Sequence, residues 1–266
     1  MVIVARCARS GRRAISRHRL ALVLAVALAF VGTALGSEPE PGRPTVLLLH
    51  GLARSAGSMA PLAAYLDANG FEVHNLDYES TEHPPEELVV MLRAEVQRCC
   101  ARGATPLHFV THSLGGIVVR AYLAGSKPER LGRVVQIAPP NSGSEIVDAI
   151  GDNALFEALL GETATRLGTD AGSFPNSIGA PDYELGVIAG SSSINPIGSA
   201  LLSGPNDGTV TIDSARLDGA ADFLVVDANH TFIMQDEAVM AQVAHFLRVG
   251  RFEHGAPAAS SEAAGE

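Results

Sequence analysis

The sequence predicts an α/β fold: a doubly wound, mostly parallel sheet with helices on both faces and a short helical cap inserted over one edge. Three observations carry this. Apolar runs of strand length alternate with helix-length segments from Thr45 to Arg248, the order that builds a sheet between two helical layers. The run Leu107 to Val110 is continuous rather than alternating, as a strand buried on both faces is. The 266 residues are 47% hydrophobic, enough for one such domain with a sizeable core and too few for two large ones.

The elements follow in order. Arg6, Arg9, Arg12, Arg13, Arg17 and Arg19 precede an apolar run from Leu20 to Val31 and the small residues Gly32 to Gly36. A charged start, a short apolar stretch and a small-residue end describe a signal peptide over residues 1–36, with export to the periplasm or the exterior. An uncleaved membrane anchor is the alternative, although Leu20 to Gly36 is shorter than the roughly 20 residues that span a bilayer comfortably. The domain proper is read as residues 37–254. Its first strand is "TVLLLHG", followed by a helix from Met59 to Ala68 that Asn69-Gly70 stops. "FEVHNLDY" is the second strand, and Pro85 to Ala101 the next helix, closed by Gly103. After "LHFVTHS" and a helix beginning at Leu114 come "RVVQIAPP", "YELGVIAG", "DFLVVDAN" and a helix from Met234 to Arg248. Residues 255–266 are Ala, Ser, Glu and Gly in the main and read as a disordered tail.

Charge and cysteine content exclude several function classes. Loss of the first 36 residues removes six arginines, leaving 13 basic against 29 acidic residues, a net charge of −16. Such a field repels phosphate backbones, so no nucleic-acid partner is expected. Lys127 is the only lysine and lies in the loop "GSKPER", which argues against a Ser-Lys dyad or Schiff-base chemistry. Cys99 and Cys100 are adjacent and suggest packing rather than a disulfide framework or a zinc site. No H-x-x-x-H or similar spacing joins His74, His83, His108, His245 and His254, so neither a metal nor another cofactor is expected.

In open α/β sheets ligands bind beyond the carboxyl ends of the strands. Reactive residues fall there: His50-Gly51 after the first strand, Ser113 after "LHFVTH", Asp207 in the Asn206-Asp207-Gly208 turn, and His230 after "DFLVVDAN". Ser113 sits on a strand-to-helix corner and reads in two ways, as the N-cap of the helix or as a nucleophile held out on a strained turn. A serine nucleophile needs a base, and the base needs an acid to hold its tautomer. Ser113, Asp207 and His230 supply that set, with Asp213 and Asp182 as the spare acids.

On these residues the chain resembles the α/β-hydrolase superfamily, and bacterial lipases and esterases in particular. Thr111-His112-Ser113-Leu114-Gly115 stands where that family has G-x-S-x-G, His50-Gly51 where it has its HG turn, and "APPNSGS", Ala138 to Ser144, is similar to the stretch after the next strand. Two departures accompany the likeness: Thr111 replaces the first glycine, and the family's two N-terminal antiparallel strands have no counterpart, which implies a minimal version of the fold. The resemblance implies that Ser113 attacks an acyl carbonyl, His230 shuttles the proton and Asp207 orients His230. It also implies an oxyanion hole made by the backbone amides of Leu114 and Leu52. His112 is expected to point away from the nucleophile, and His50 to pack beneath the oxyanion turn.

Residues 141–182 break the strand-helix rhythm. Glu145 to Leu160 carries Ile146, Val147, Ile150, Leu155, Phe156, Leu159 and Leu160 at helical spacing, either a lid or a crossover helix with a long loop. Read as a lid, it supplies an acyl-binding wall at Phe156 and Leu159, hinged at Pro139 to Gly143. The expected function is cleavage of small-molecule or lipid esters through an acyl-enzyme, with transient contact to a lipid interface. Thioester hydrolysis or acyl transfer by the same triad is the nearest alternative, and a non-catalytic binding protein on the same fold the more distant one.

Overall fold

The computed structural model describes residues 42–100 and 105–255. The expected signal segment, residues 1–36, and the tail beyond Gly255 lie outside them. Among the described residues six strands form one all-parallel sheet: β1 (Thr45–Leu49), β2 (Glu72–Leu76), β3 (Leu107–His112), β4 (Leu131–Ile137), β5 (Leu185–Gly190) and β6 (Asp222–Val226), in the order β2-β1-β3-β4-β5-β6. The order reverses direction between β1 and β3, which is where a doubly wound sheet opens a crevice at its carboxyl edge.

Side-chain alternation along the strands divides the core in two. Val46 and Leu48 of β1, with Val110, Val135 and Ile188, face helix α1 (Ala60–Ala68). Leu47 and Leu49, with Phe109, Val134 and Val187, face helices α2 (Pro85–Cys99) and α3 (Leu114–Gly125). Strands β1, β3 and β5 are buried along their whole length, including the polar His108, Thr111 and His112 of β3.

The segment after β4 holds helices α4 (Glu145–Ile150), α5 (Ala154–Thr165) and α6 (Phe174–Ser177). The single helical run expected over Glu145 to Leu160 is therefore two helices. Gly151 to Asn153 separate them, and the Asn153 side chain caps α5 by accepting from the Leu155 amide at 2.8 Å. Two short helices, α7 (Pro196–Ala200) and α8 (Ile212–Ala215), lie between β5 and β6.

The last helix, α9 (Glu237–Val249), packs Val239, Val243 and Phe246 on the same face of the sheet as α1. It begins three residues later than its apolar pattern suggests. A 3₁₀ turn over Ile233–Gln235 comes first, and Asp236 then caps α9, accepting from the amides of Ala238 and Val239 at 2.9 and 3.1 Å.

The turn from Pro139 to Gly143, expected as the hinge of the cap, is anchored at Asn141. Asn141 is buried and donates to Gln136 Oε1 and to the Ala215 carbonyl, at 3.0 and 2.9 Å. Cys99 and Cys100 are joined in a disulfide, against the expectation of simple packing. Helix α2 ends between them, and at Cys100 the backbone leaves helical geometry, with φ −131°, which turns the second sulfur toward the first.

Candidate active site

The corner at Ser113 is built by close packing. Ser113 has φ 53° and ψ −124°, a backbone conformation that non-glycine residues rarely adopt. Its amide is held by the Ile137 carbonyl at 2.9 Å. Helix α3 starts directly behind it and presses on β1: a Cβ on Gly115 would lie 2.7 Å from the His50 carbonyl oxygen. Thr111, in place of a small residue two positions before the serine, is accommodated by Gly116. A Cβ there would stand 3.2 Å from Thr111 Oγ1 and 3.0 Å from Gln136 Nε2. The glycine thus sits one residue later in α3 and clears the space that the β-branched side chain needs.

The corner serine does not cap α3, because its side chain makes no capping hydrogen bond. Instead Ser113 Oγ lies 3.1 Å from His230 Nε2, and His230 Nδ1 lies 2.8 Å from Asp207 Oδ2. With Asp207 as acceptor at Nδ1, Nε2 is left to accept the hydroxyl proton. Three strands position these groups: β3 ends at Ser113, β5 leads to the turn carrying Asp207, and β6 leads to His230. All three residues are buried or nearly so, at 9, 2 and 8% exposure. The other Asp207 oxygen accepts from the amides of Thr209 and Val210 at 3.0 and 2.8 Å. The spare acids are elsewhere: Asp213 is exposed and faces Arg216, and Asp182 pairs with Lys127.

His50 lies fully buried under the turn that follows β1. Its Nδ1 donates to the Gly51 carbonyl at 2.8 Å, its ring stacks on Tyr78 with centroids 4.2 Å apart, and the Tyr78 hydroxyl donates to the His50 carbonyl at 2.7 Å. Burial lowers its pKa and keeps it neutral. His112 does not turn away from the site. Its ring lies 4.8 Å from that of His230, and its Nε2 donates to the His230 carbonyl at 3.0 Å. Burial above all, with His230 and then Arg54 adding to it, holds the His112 pKa well below the usual histidine range. A neutral His112 therefore props the backbone of the residue that faces Ser113.

A cavity of about 250 Å³ opens over Ser113 and His230. Leu52 lines it, in the turn after β1, and the Leu114 amide is the first of α3, where helix amides have no intrahelical acceptor. Its apolar wall comes from the cap: Ile146 and Val147 of α4, Phe156 and Leu160 of α5, and Leu167. Leu159 is not part of that wall. It is 67% exposed and borders a separate depression lined by Ser80 and Glu82. Residues 156 and 160 share a helix face, and 155 and 159 share the outer one. Two arginines were not expected here: Arg54, which lines the cavity, and the buried Arg120, which donates to Asn141 and to the Ile178 carbonyl at 3.0 and 3.1 Å. Neither carries a sequence signal that separates it from a solvated arginine.

A strained serine, a histidine and a buried carboxylate in hydrogen-bonded series, at the carboxyl edge of a doubly wound sheet, are features of the hydrolases built on this fold. The chain belongs to the alpha/beta hydrolase family, whose model matches residues 46–248. Among solved structures it is similar to the mature lipase BlEst2 of Bacillus licheniformis (TM-score 0.63, 22% identity, 80% of this chain and 94% of that one). It is also similar to phospholipase PlaB of Legionella pneumophila (0.62, 15%, 79% and 60%) and to a metagenomic carboxyl esterase (0.56, 18%, 75% and 68%). At these identities the likeness is one of fold. No curated protein matches the sequence.

Proposed function

We propose that this chain is an exported serine hydrolase that cleaves carboxylic esters with apolar acyl chains. The observation that carries the reading is the series Ser113 Oγ, His230, Asp207, with links of 3.1 and 2.8 Å, under an apolar cavity. Ser113 Oγ attacks the ester carbonyl as His230 Nε2 takes its proton, and Asp207 stabilises the imidazolium through Nδ1. The amides of Leu52 and Leu114 receive the oxyanion of the tetrahedral intermediate; one such donor is typically worth about 3 kcal/mol in the transition state. The intermediate collapses, the C–O bond breaks, and His230 returns the proton to the departing alcohol. Water, deprotonated by His230, then attacks the acyl-enzyme and releases the carboxylic acid and Ser113.

The acyl chain lies against Val147, Phe156, Leu160 and Leu167. Beyond the cavity, Leu155, Leu159, Ile194, Ile197 and Phe232 are all more than half exposed on the connections that follow β4, β5 and β6. They give the carboxyl edge an apolar rim suited to lipid-like substrates and brief contact with a lipid surface. The test is hydrolysis of nitrophenyl esters of graded chain length. The expected result is turnover that rises with chain length up to the capacity of the cavity and is lost in Ser113→Ala. Turnover of Ser113→Ala close to that of the unaltered chain would sink the reading.

A further inference from the structure

Arg54 stands where the turn after β1 separates two hollows. It lines the cavity over Ser113, whose other lining residues include no carboxylate and no further arginine or lysine. It also lines the neighbouring depression of about 440 Å³, whose polar wall includes Ser55, Ser80 and Thr81. Its charge is felt at the buried His112, so the cation acts within the site. Arg43, Arg133 and Arg166 each hold a carboxylate. Arg54, in contrast, makes no ion pair or hydrogen bond among the described residues. Asp77, on the rim of the same depression, is already engaged by the Ala56 amide at 2.8 Å. A half-buried guanidinium left without an ion pair, although Asp77, Glu79 and Glu82 line the same depression, is a group free to take an anion.

The position of the apolar wall decides which half of the ester carries that anion. With the acyl chain assigned to Val147, Phe156 and Leu160, the alcohol half is assigned to Arg54 and the depression that it shares with the cavity. A guanidinium presents paired N–H donors that match a phosphate or a carboxylate. Asp77, Glu79 and Glu82 line the same depression without an ion pair to Arg54 and repel an extended anionic surface, which restricts recognition to a single anionic group held against Arg54. We propose that Arg54 is a specificity-determining residue that binds an anionic group on the alcohol half, so that the preferred substrates are acyl esters of phosphorylated or carboxylated alcohols. The proposal rests on the serine hydrolase reading above.

The experiment compares three octanoyl esters matched in acyl chain: octanoylglycerol, octanoylglycerol phosphate and octanoylglycolate. The expected result is a higher kcat/KM for one or both anionic esters than for octanoylglycerol, falling as salt is raised because the attraction is screened. Arg54→Gln should lower the anionic-to-neutral ratio at least about tenfold, the order expected when a charge-assisted hydrogen bond is removed. Arg54→Lys, which keeps the charge but not the paired donors, should retain only part of the ratio. The two anionic arms distinguish a phosphate from a carboxylate as the group recognised. A ratio near one in the unaltered chain, or a ratio unchanged in Arg54→Gln, overturns the proposal while leaving the hydrolase reading intact. Failure to cleave all three, together with failure of Ser113 to react with a fluorophosphonate, overturns both.

Discussion

Asp207 accepts hydrogen bonds at both oxygens, from the His230 ring on one side and two turn amides on the other. An amide in its place presents an NH₂ to one of those donors, so Asp207→Asn should disturb the tautomer of His230 more than the binding of substrate. The expected outcome in steady-state kinetics is a kcat lower by roughly 10³ to 10⁴-fold with KM little changed. Asp213→Asn, at a side chain 92% exposed, should leave both constants where they were. The chain order Ser113, Asp207, His230 made these three residues legible from sequence. The departure at Thr111 was legible too, but its accommodation was not, because the compensating glycine, Gly116, lies on the helix behind the corner and meets Thr111 only once α3 packs on the sheet.

In the cap, the apolar residues were visible in the sequence, but helical phase cannot be carried across Gly151 to Asn153, and the inward face is Phe156 and Leu160 rather than Leu159. Phe156→Ser and Leu160→Ser should each depress turnover of long-chain nitrophenyl esters while sparing acetate, on the scale of about 0.8 kcal/mol for each substrate methylene left unburied. Leu159→Ser should leave chain-length preference unchanged. An equal loss on short and long chains at Phe156 would show that α5 is not an acyl wall. The base of the cap depends on Arg120, which is 3% exposed and donates to backbone carbonyls at Asn141 and Ile178, close to the two ends of the insertion. Burial lowers its pKa, yet it remains a cation held by carbonyl dipoles. Arg120→Met should destabilise the fold by about 2–4 kcal/mol, in line with losing hydrogen bonds to a charged donor, as measured by urea unfolding.

Across the whole molecule, buried neutral histidines link stability to pH. Burial, reinforced by Arg133, pushes His108 down to about 4, and burial lowers His50 and His112 as well. The unfolded chain takes up protons at these residues near pH 6.5, whereas folded His108 does so only near 4. Stability is therefore full above about 6.5 and is lost as pH falls toward 4, at up to about 1.4 kcal/mol per pH unit for each histidine. Urea midpoints taken across that window should fall with pH, and His108→Gln should flatten the fall; a midpoint independent of pH would rule out this effect of burial. The sheet, its order of elements and the edge that gathers Ser113, Asp207 and His230 were readable because strand-length apolar runs and turn residues are local signals. The inner face of the cap, the anchoring by Arg120 and the place of Arg54 beside the site depend on tertiary neighbours that no local pattern encodes, whereas the disulfide turns on how the last turn of α2 ends. The proposed chemistry requires Ser113 to be an activated nucleophile, and mass spectrometry after reaction with a fluorophosphonate examines that requirement without any assumption about substrate. A single adduct is expected on the peptide containing Ser113, formed rapidly in the unaltered chain and far more slowly in His230→Ala. No adduct at Ser113, or one formed equally fast without His230, would refute the triad.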